Sequence, residues 1–176
     1  AEIELMRALI TGANRGIGAA LSFELASRGC DVIGTARSGD GLETLDVTDP
    51  ASVAALAERL DGVALEALVC NAGVYLDKGQ PLEGGYPAAM WAESFAANVT
   101  GVFLTVQALL PHLRRGATPR IMIISSQMAS HTRAPGGSYI YRASKAAALN
   151  LGRNLAVDLK PEGIAVGIYH PGWVQT

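Results

Sequence analysis

Tyr141 and Lys145 stand four positions apart, and their types and spacing could do chemistry together. Residues i and i+4 of a helix share a face, so a phenol and an ammonium group can converge there on one ligand. An unperturbed tyrosine titrates near ~10 and exchanges protons poorly at neutral pH, but a nearby cation stabilises the phenolate and makes it a usable acid and base. The same spacing also arises by chance on amphipathic helix faces. Other positions have to decide.

The second candidate is the turn Thr11-Gly12-Ala13-Asn14-Arg15-Gly16-Ile17-Gly18, which follows the apolar run Ala8-Leu9-Ile10 and opens into a helical stretch. In a strand, glycine turn and helix of this kind, one glycine permits the turn, another lets the backbone approach a pyrophosphate, and the last lets helix pack on strand. The helix N-terminus offers the phosphates free N–H groups and positive dipole. The glycine spacing differs from the common dinucleotide fingerprint with its paired early glycines, and a glycine-rich connection without a ligand has the same look.

About 20 residues beyond the turn, a site for NAD would carry an acid to read the ribose hydroxyls; this chain has Ala36 then Arg37. Arg37, with Arg15 inside the turn, suits a 2′-phosphate, for which planar bidentate donors are well matched. The expected cofactor is therefore NADP(H). Taken alone, Arg37 could equally be a solvated residue at a strand end.

The elements that must position these groups follow from apolar patterning. A helix is expected over 16–27, ended by Arg28-Gly29, and a second strand over 31–37. Too few residues separate Arg37 from Asp46 for a crossover helix, so a short loop leads to a third strand over 42–47. Asp46 and Val47 end that strand, where Asp46 can serve as a turn-capping carboxylate. Thr48-Asp49-Pro50 starts a helix over 51–60. A fourth strand over 67–70 runs into Asn71-Ala72-Gly73, and a Gly/Pro-rich loop over 75–87 precedes a long apolar helix over 91–113. Asn98 interrupts that helix, either facing solvent or bonded for a purpose. A fully buried fifth strand over 121–124 ends at Ser125-Ser126, a helix over 141–159 carries Tyr141 and Lys145, and a sixth strand over 164–169 leads to Pro171-Gly172. Strands alternating with helices predict an α/β fold: a single Rossmann-type domain, a doubly wound parallel sheet in three αβα layers, with its ligand at the carboxyl ends of the strands.

Taken together, the Thr11–Gly18 turn, Asn71-Ala72-Gly73, Asn98, Ser126, Tyr141-x-x-x-Lys145 and Pro171-Gly172 resemble the short-chain dehydrogenase/reductase family from Arg7 to Thr176. The short gap after Arg37 and the wording Tyr139-Ile140-Tyr141-Arg142-Ala143-Ser144-Lys145 are similar to its C-factor and sniffer-like carbonyl reductase branch. The resemblance implies hydride transfer between NADP(H) and a small carbonyl or alcohol substrate, with Tyr141 as acid/base and Lys145 lowering the pKa of its phenol and holding the cofactor ribose. It also implies Ser126 as substrate orienter, with Ser125 or Ser130 as alternatives, and Asn98 as holder of a relay water. The cofactor would be bound by Gly12, Asn14, Arg15, Gly16, Ile17, Gly18, Arg37, Asp46, Val47, Asn71, Ala72, Gly73, Pro171, Gly172, Val174 and Thr176, besides Tyr141 and Lys145. A homodimer or homotetramer through the two long helices is implied as well. Relatives of this kind continue past the position of Thr176 through a substrate-covering segment and a last strand, which are expected to be missing here.

Composition sets the outer limits. With 49% hydrophobic and 17% charged residues, the chain is an ordinary globular protein. A net charge of −2 and the lack of any basic run argue against nucleic-acid binding. No apolar stretch is expected to reach the ~20 residues that span a bilayer, no leader pattern opens the chain, and a cytoplasmic place is expected. Residues 1–5, before Met6, are expected to be foreign to the domain. Cys30 and Cys70 lack metal or redox spacing and are expected to be reduced thiols, with no metal site. Two other readings compete: a dinucleotide-binding module with little turnover, and an NAD-dependent alcohol dehydrogenase, against which Ala36 and Arg37 speak.

Overall fold

The computed structural model describes residues 6–172. Its strands are β1 (Arg7–Ile10), β2 (Asp31–Ala36), β3 (Glu43–Thr44), β4 (Ala67–Cys70), β5 (Arg120–Ile124) and β6 (Ala165–Tyr169). All pair in parallel, in the order β3-β2-β1-β4-β5-β6. Helices α1 (Gly16–Ser27), α2 (Pro50–Arg59), α3 (Ala88–Phe95), α4 (Gly101–Leu113) and α5 (Tyr139–Leu159) connect them.

Side chains alternate across a strand, so each strand serves both faces of the sheet. Leu9, Leu68, Cys70, Ile121 and Ile123 join the larger core with Val53 and Leu56 of α2, Val106 and Leu109 of α4, and Leu159 of α5. Ile10, Val69, Met122 and Ile124 point the other way, toward Leu21 and Leu25 of α1. This is the doubly wound, three-layer α/β arrangement the patterning predicts. The order reverses between β1 and β4, and there the connections after neighbouring strands leave in opposite directions and open a crevice.

Four expectations change. β3 is two residues long rather than six, because the carboxyl of Asp46 accepts from the backbone N–H and hydroxyl of Thr48 (2.9 and 2.7 Å) and turns the chain into α2. β5 is not fully buried: Met122 and Ile124 lie on the α1 side, which is more thinly covered. The long helix starts at Ala88 rather than Trp91 and is broken by a wide π turn, Ala96–Thr100. Finally, Ala88–Leu113 is a 26-residue helical run containing an 18-residue stretch with a mean hydropathy of 1.3, long and apolar enough by composition to cross a membrane. Its apolar face packs in the core over the sheet, which accounts for that character.

Candidate active site

The carboxyl ends of the strands place the glycine turn, Asn71, Ser125 and Pro171 along one edge. Thr11 is buried, and its hydroxyl accepts from the backbone N–H groups of Asn71 (3.0 Å) and Ala72 (2.9 Å). The Asn71 amide donates to the carbonyls of Thr11 (3.0 Å) and Gly12 (3.2 Å). A Cβ at Gly18 would meet the Gly12 carbonyl and that same amide, and Gly12 has φ +66°. The turns after β1 and β4 are thus tied together at the switch point. Asn71 contributes to the pocket floor by holding the glycine turn.

Arg15 begins α1 without a side-chain cap, and no acid stands in the first turn. The free N–H groups there are open to an anion, with Asn14, Arg15 and Gly16 exposed around them, which fits a pyrophosphate. The Ala13 N–H donates to the Thr35 carbonyl (2.8 Å), seating the turn beside the end of β2, after which comes Arg37. The Thr48 bonds, and more weakly the Arg37 guanidinium, hold the Asp46 carboxyl below its usual range. The turn-capping reading of Asp46 is therefore realised in the structure.

A cavity of about 390 Å³ opens along the crevice, bordered by Ile17, Asn71 and Gly73 on one side and by Ser126, Tyr141 and Lys145 on the other. Pro171 and Gly172 close one end. Lys145 is only 7% exposed; burial brings its ammonium down to about 8, and it donates to the Ile124 carbonyl (3.2 Å). Its Nζ lies 5.7 Å from the centre of the Tyr141 ring. The Tyr141 phenol is pushed up from its ordinary value by burial, with Tyr75 adding to the rise, while a hydrogen bond from Ser126 works in the opposite sense. The expected lowering by Lys145 is absent, since the ammonium is turned to a backbone carbonyl and desolvation of the phenol outweighs the nearby charge.

Of the three serines, Ser126 reaches Tyr141. Its hydroxyl also accepts from the Met128 N–H (3.1 Å). Ser125 borders the same cavity, whereas the Ser130 hydroxyl is engaged in its own turn with Thr132 and Arg133.

Asn98 is buried in the π turn rather than solvated. Its Oδ1 accepts from the Val74 N–H (2.8 Å), and its Nδ2 donates to the Val74 carbonyl (2.8 Å) and to the Ser144 hydroxyl (3.0 Å). It thereby fastens the chain after β4 to α5, between Tyr141 and Lys145. Gly73 lies beneath: a Cβ there would sit 2.9 Å from Asn98 Oδ1 and 3.5 Å from Lys145 Nζ.

α5 begins at Tyr139, two residues before the expected start. Its first amides are bonded by Asp77, which sequence reasoning missed along with Tyr75, Thr11 and Ser144. Thr11 and Ser144 stood inside motifs already singled out. Asp77 and Tyr75 gave no signal, because their partners lie more than 60 residues away. Val174 and Thr176 lie outside the described residues. Gly12, Asn14, Arg15, Gly16, Gly18, Arg37, Asp46, Val47, Ala72 and Asn98 do not border the cavity; Arg37, Asp46 and Val47 follow β2 and β3, and Arg15 stands just before α1.

Residues 6–176 match the short chain dehydrogenase family. The chain is 33% identical over 184 residues to 3-oxoacyl-(acyl-carrier-protein) reductase FabG of Escherichia coli, covering 96% of this chain and 73% of that protein. Among solved structures, Sniffer of Caenorhabditis elegans superposes with a TM-score of 0.87 at 32% identity, covering 98% of this chain and 85% of that one. An NADPH-bound carbonyl reductase from chicken fatty liver gives 0.87 at 30% identity, covering 98% and 81%.

Proposed function

Because the chain belongs to the short-chain dehydrogenase/reductase family, we propose that it is an NADPH-dependent oxidoreductase that reduces the carbonyl of a small aldehyde or ketone to an alcohol. The observation that carries this reading is the meeting of the Tyr141 phenol, the Ser126 hydroxyl and the buried Lys145 at one cavity beside the glycine turn.

When bound, the nicotinamide supplies a hydride to the carbonyl carbon. Tyr141 donates its proton to the oxygen that becomes the alcohol. The raised phenol is protonated at neutral pH and has a proton to give, but burial also makes it a weaker acid, so the transfer relies on the cation beside it to stabilise the phenolate. Ser126 donates to the substrate oxygen as charge develops on it. Lys145, largely charged at pH 7, balances the phenolate left behind. Asn98 Oδ1 and Lys145 Nζ both lie close to Gly73, and this nearness supports the relay role of Asn98. Arg15 and Arg37, with Ala36 rather than an acid at the end of β2, support the choice of NADPH. The reading includes self-association through α4 and α5, on which Phe103 and Val157 stand exposed.

The test is a panel of aldehydes and ketones offered to the chain and to Tyr141→Phe with NADPH and with NADH. The chain is expected to consume NADPH with a preference of at least about tenfold, roughly 1.4 kcal/mol. Tyr141→Phe is expected to lose at least ~10²-fold in turnover while still binding NADPH. Turnover retained by the phenylalanine variant would sink the Tyr141 assignment, and equal affinity for both cofactors would leave Arg15 and Arg37 as surface residues.

A further inference from the structure

Among the described residues, Asp77 is the only fully buried carboxylate. It lies in the loop after β4, yet it serves the far end of another element. α5 begins after Ser138, which has left-handed backbone angles (φ 47°, ψ 44°) and makes no capping bond. A capping serine ordinarily sits in the extended region and bonds the amide two or three residues on. The Ser138 hydroxyl instead meets the Tyr75 hydroxyl at 2.6 Å. That would leave the amides of Ile140 and Tyr141 without partners at a helix start where Ile140 is fully buried. Asp77 fills the gap, accepting from Ile140 N–H at 2.8 Å and from Tyr141 N–H at 3.2 and 3.3 Å. Two residues earlier, Tyr75 lies flat on the Tyr141 ring, with centroids 4.2 Å apart and planes 20° from parallel.

We propose that Asp77 and Tyr75 form a clamp that positions Tyr141, Asp77 by holding its backbone amide and Tyr75 by holding its ring. The inference rests on the acid role proposed for Tyr141. An amide bond and a ring stack restrain the residue at both ends, leaving its hydroxyl directed at Ser126 and the cavity. Neither Asp77 nor Tyr75 is required to touch the reacting atoms; both act through Tyr141.

Asp77→Asn keeps the size of the side chain but leaves one neutral acceptor where a charged carboxylate offered two oxygens to the N–H groups, and Tyr75→Ala removes the ring from a partly exposed position that the core does not need. Both are expected to lower kcat by ~10-fold or more while leaving the substrate KM and the NADPH dissociation constant within about twofold, the signature of a misplaced acid in an intact pocket. A residue that only stabilised α5 would lower the melting temperature and leave kcat of the folded enzyme unchanged; that result in either variant overturns the clamp. Should Asp77→Asn fail to fold, Tyr75→Ala decides. If the unsubstituted chain reduces no carbonyl compound with either cofactor, the functional reading falls and the clamp is judged without turnover. Ultraviolet phenolate titration, taken as the difference from Tyr141→Phe, isolates Tyr141. A midpoint that moves by about half a unit or more in the Asp77 variant sustains the clamp, and an unmoved midpoint removes it; the Tyr75 variant is not read this way, because losing its own charge lowers the midpoint.

Discussion

Burial of Lys145 sets two demands against each other. A charge beneath the phenol is useful, and removing it from water is costly. Its pKa of about 8 lies below the 10.5 of a solvated lysine, so between these values the unfolded chain binds more protons than the folded one. Stability therefore rises with pH across that window, and below about 8 the full cost of the buried charge, roughly 3 kcal/mol, is present. In Lys145→Met this cost is gone, and so is the bond to Ile124, whose loss does not vary with pH while the lysine is charged. Urea unfolding from pH 7 to 9.5 is expected to show the unsubstituted chain gaining on the methionine variant as pH rises; parallel profiles would show that the ammonium is solvated. The raised phenol of Tyr141 acts in the opposite sense, but only above its ordinary value near 10, beyond the pH range of that unfolding series. The same desolvation pushes the Cys70 thiol up to about 12, in keeping with a reduced, unreactive cysteine in the middle of the sheet.

Among the elements, the helix broken by the π turn is the one whose internal structure the sequence hid most. Its apolar repeat was legible, because periodicity reports which face is buried. The widened turn at Asn98 was not, since it depends on bonds to Val74 and Ser144 in two other segments. The early start of α5 was hidden for the same reason: a cap is recognised from neighbours in sequence, and this one comes from a distant loop. In α3 the local logic fails in another way, for the Ser94 hydroxyl is buried with no hydrogen-bond partner among the described residues. Ser94→Ala removes an unsatisfied group and favours helix, so it is expected to stabilise the chain by about 1 kcal/mol. A lowered melting temperature in the alanine variant would mean that the hydroxyl has a partner after all.

Over the whole molecule, the parallel, doubly wound arrangement could be read from the chain, because glycine turns, apolar runs and strand ends are local and the α/β layering follows from their alternation. What could not be read was how loops from opposite sides of the sheet interlock over the site. The outer faces of α4 and α5 invite a second copy, with Phe103 at 39% and Val157 at 71% exposure. Sedimentation is expected to find a dimer or tetramer that Val157→Glu weakens, and a monomer at all concentrations would end that proposal.

The bond from Asp77 to Ile140 spans 63 residues of chain. Closing a free loop of that length would cost about 4 kcal/mol in entropy. Here the ladder between β4 and β5 has already brought the two regions together, so only the stretches from Cys70 to Asp77 and from Ile124 to Ile140 remain to be ordered. The interlock is thus entropically cheap, but only in a molecule whose sheet is already assembled. A partly folded chain can hold α5 as a helix and still have no acid in register, which makes the geometry of the site a late and conditional product of folding.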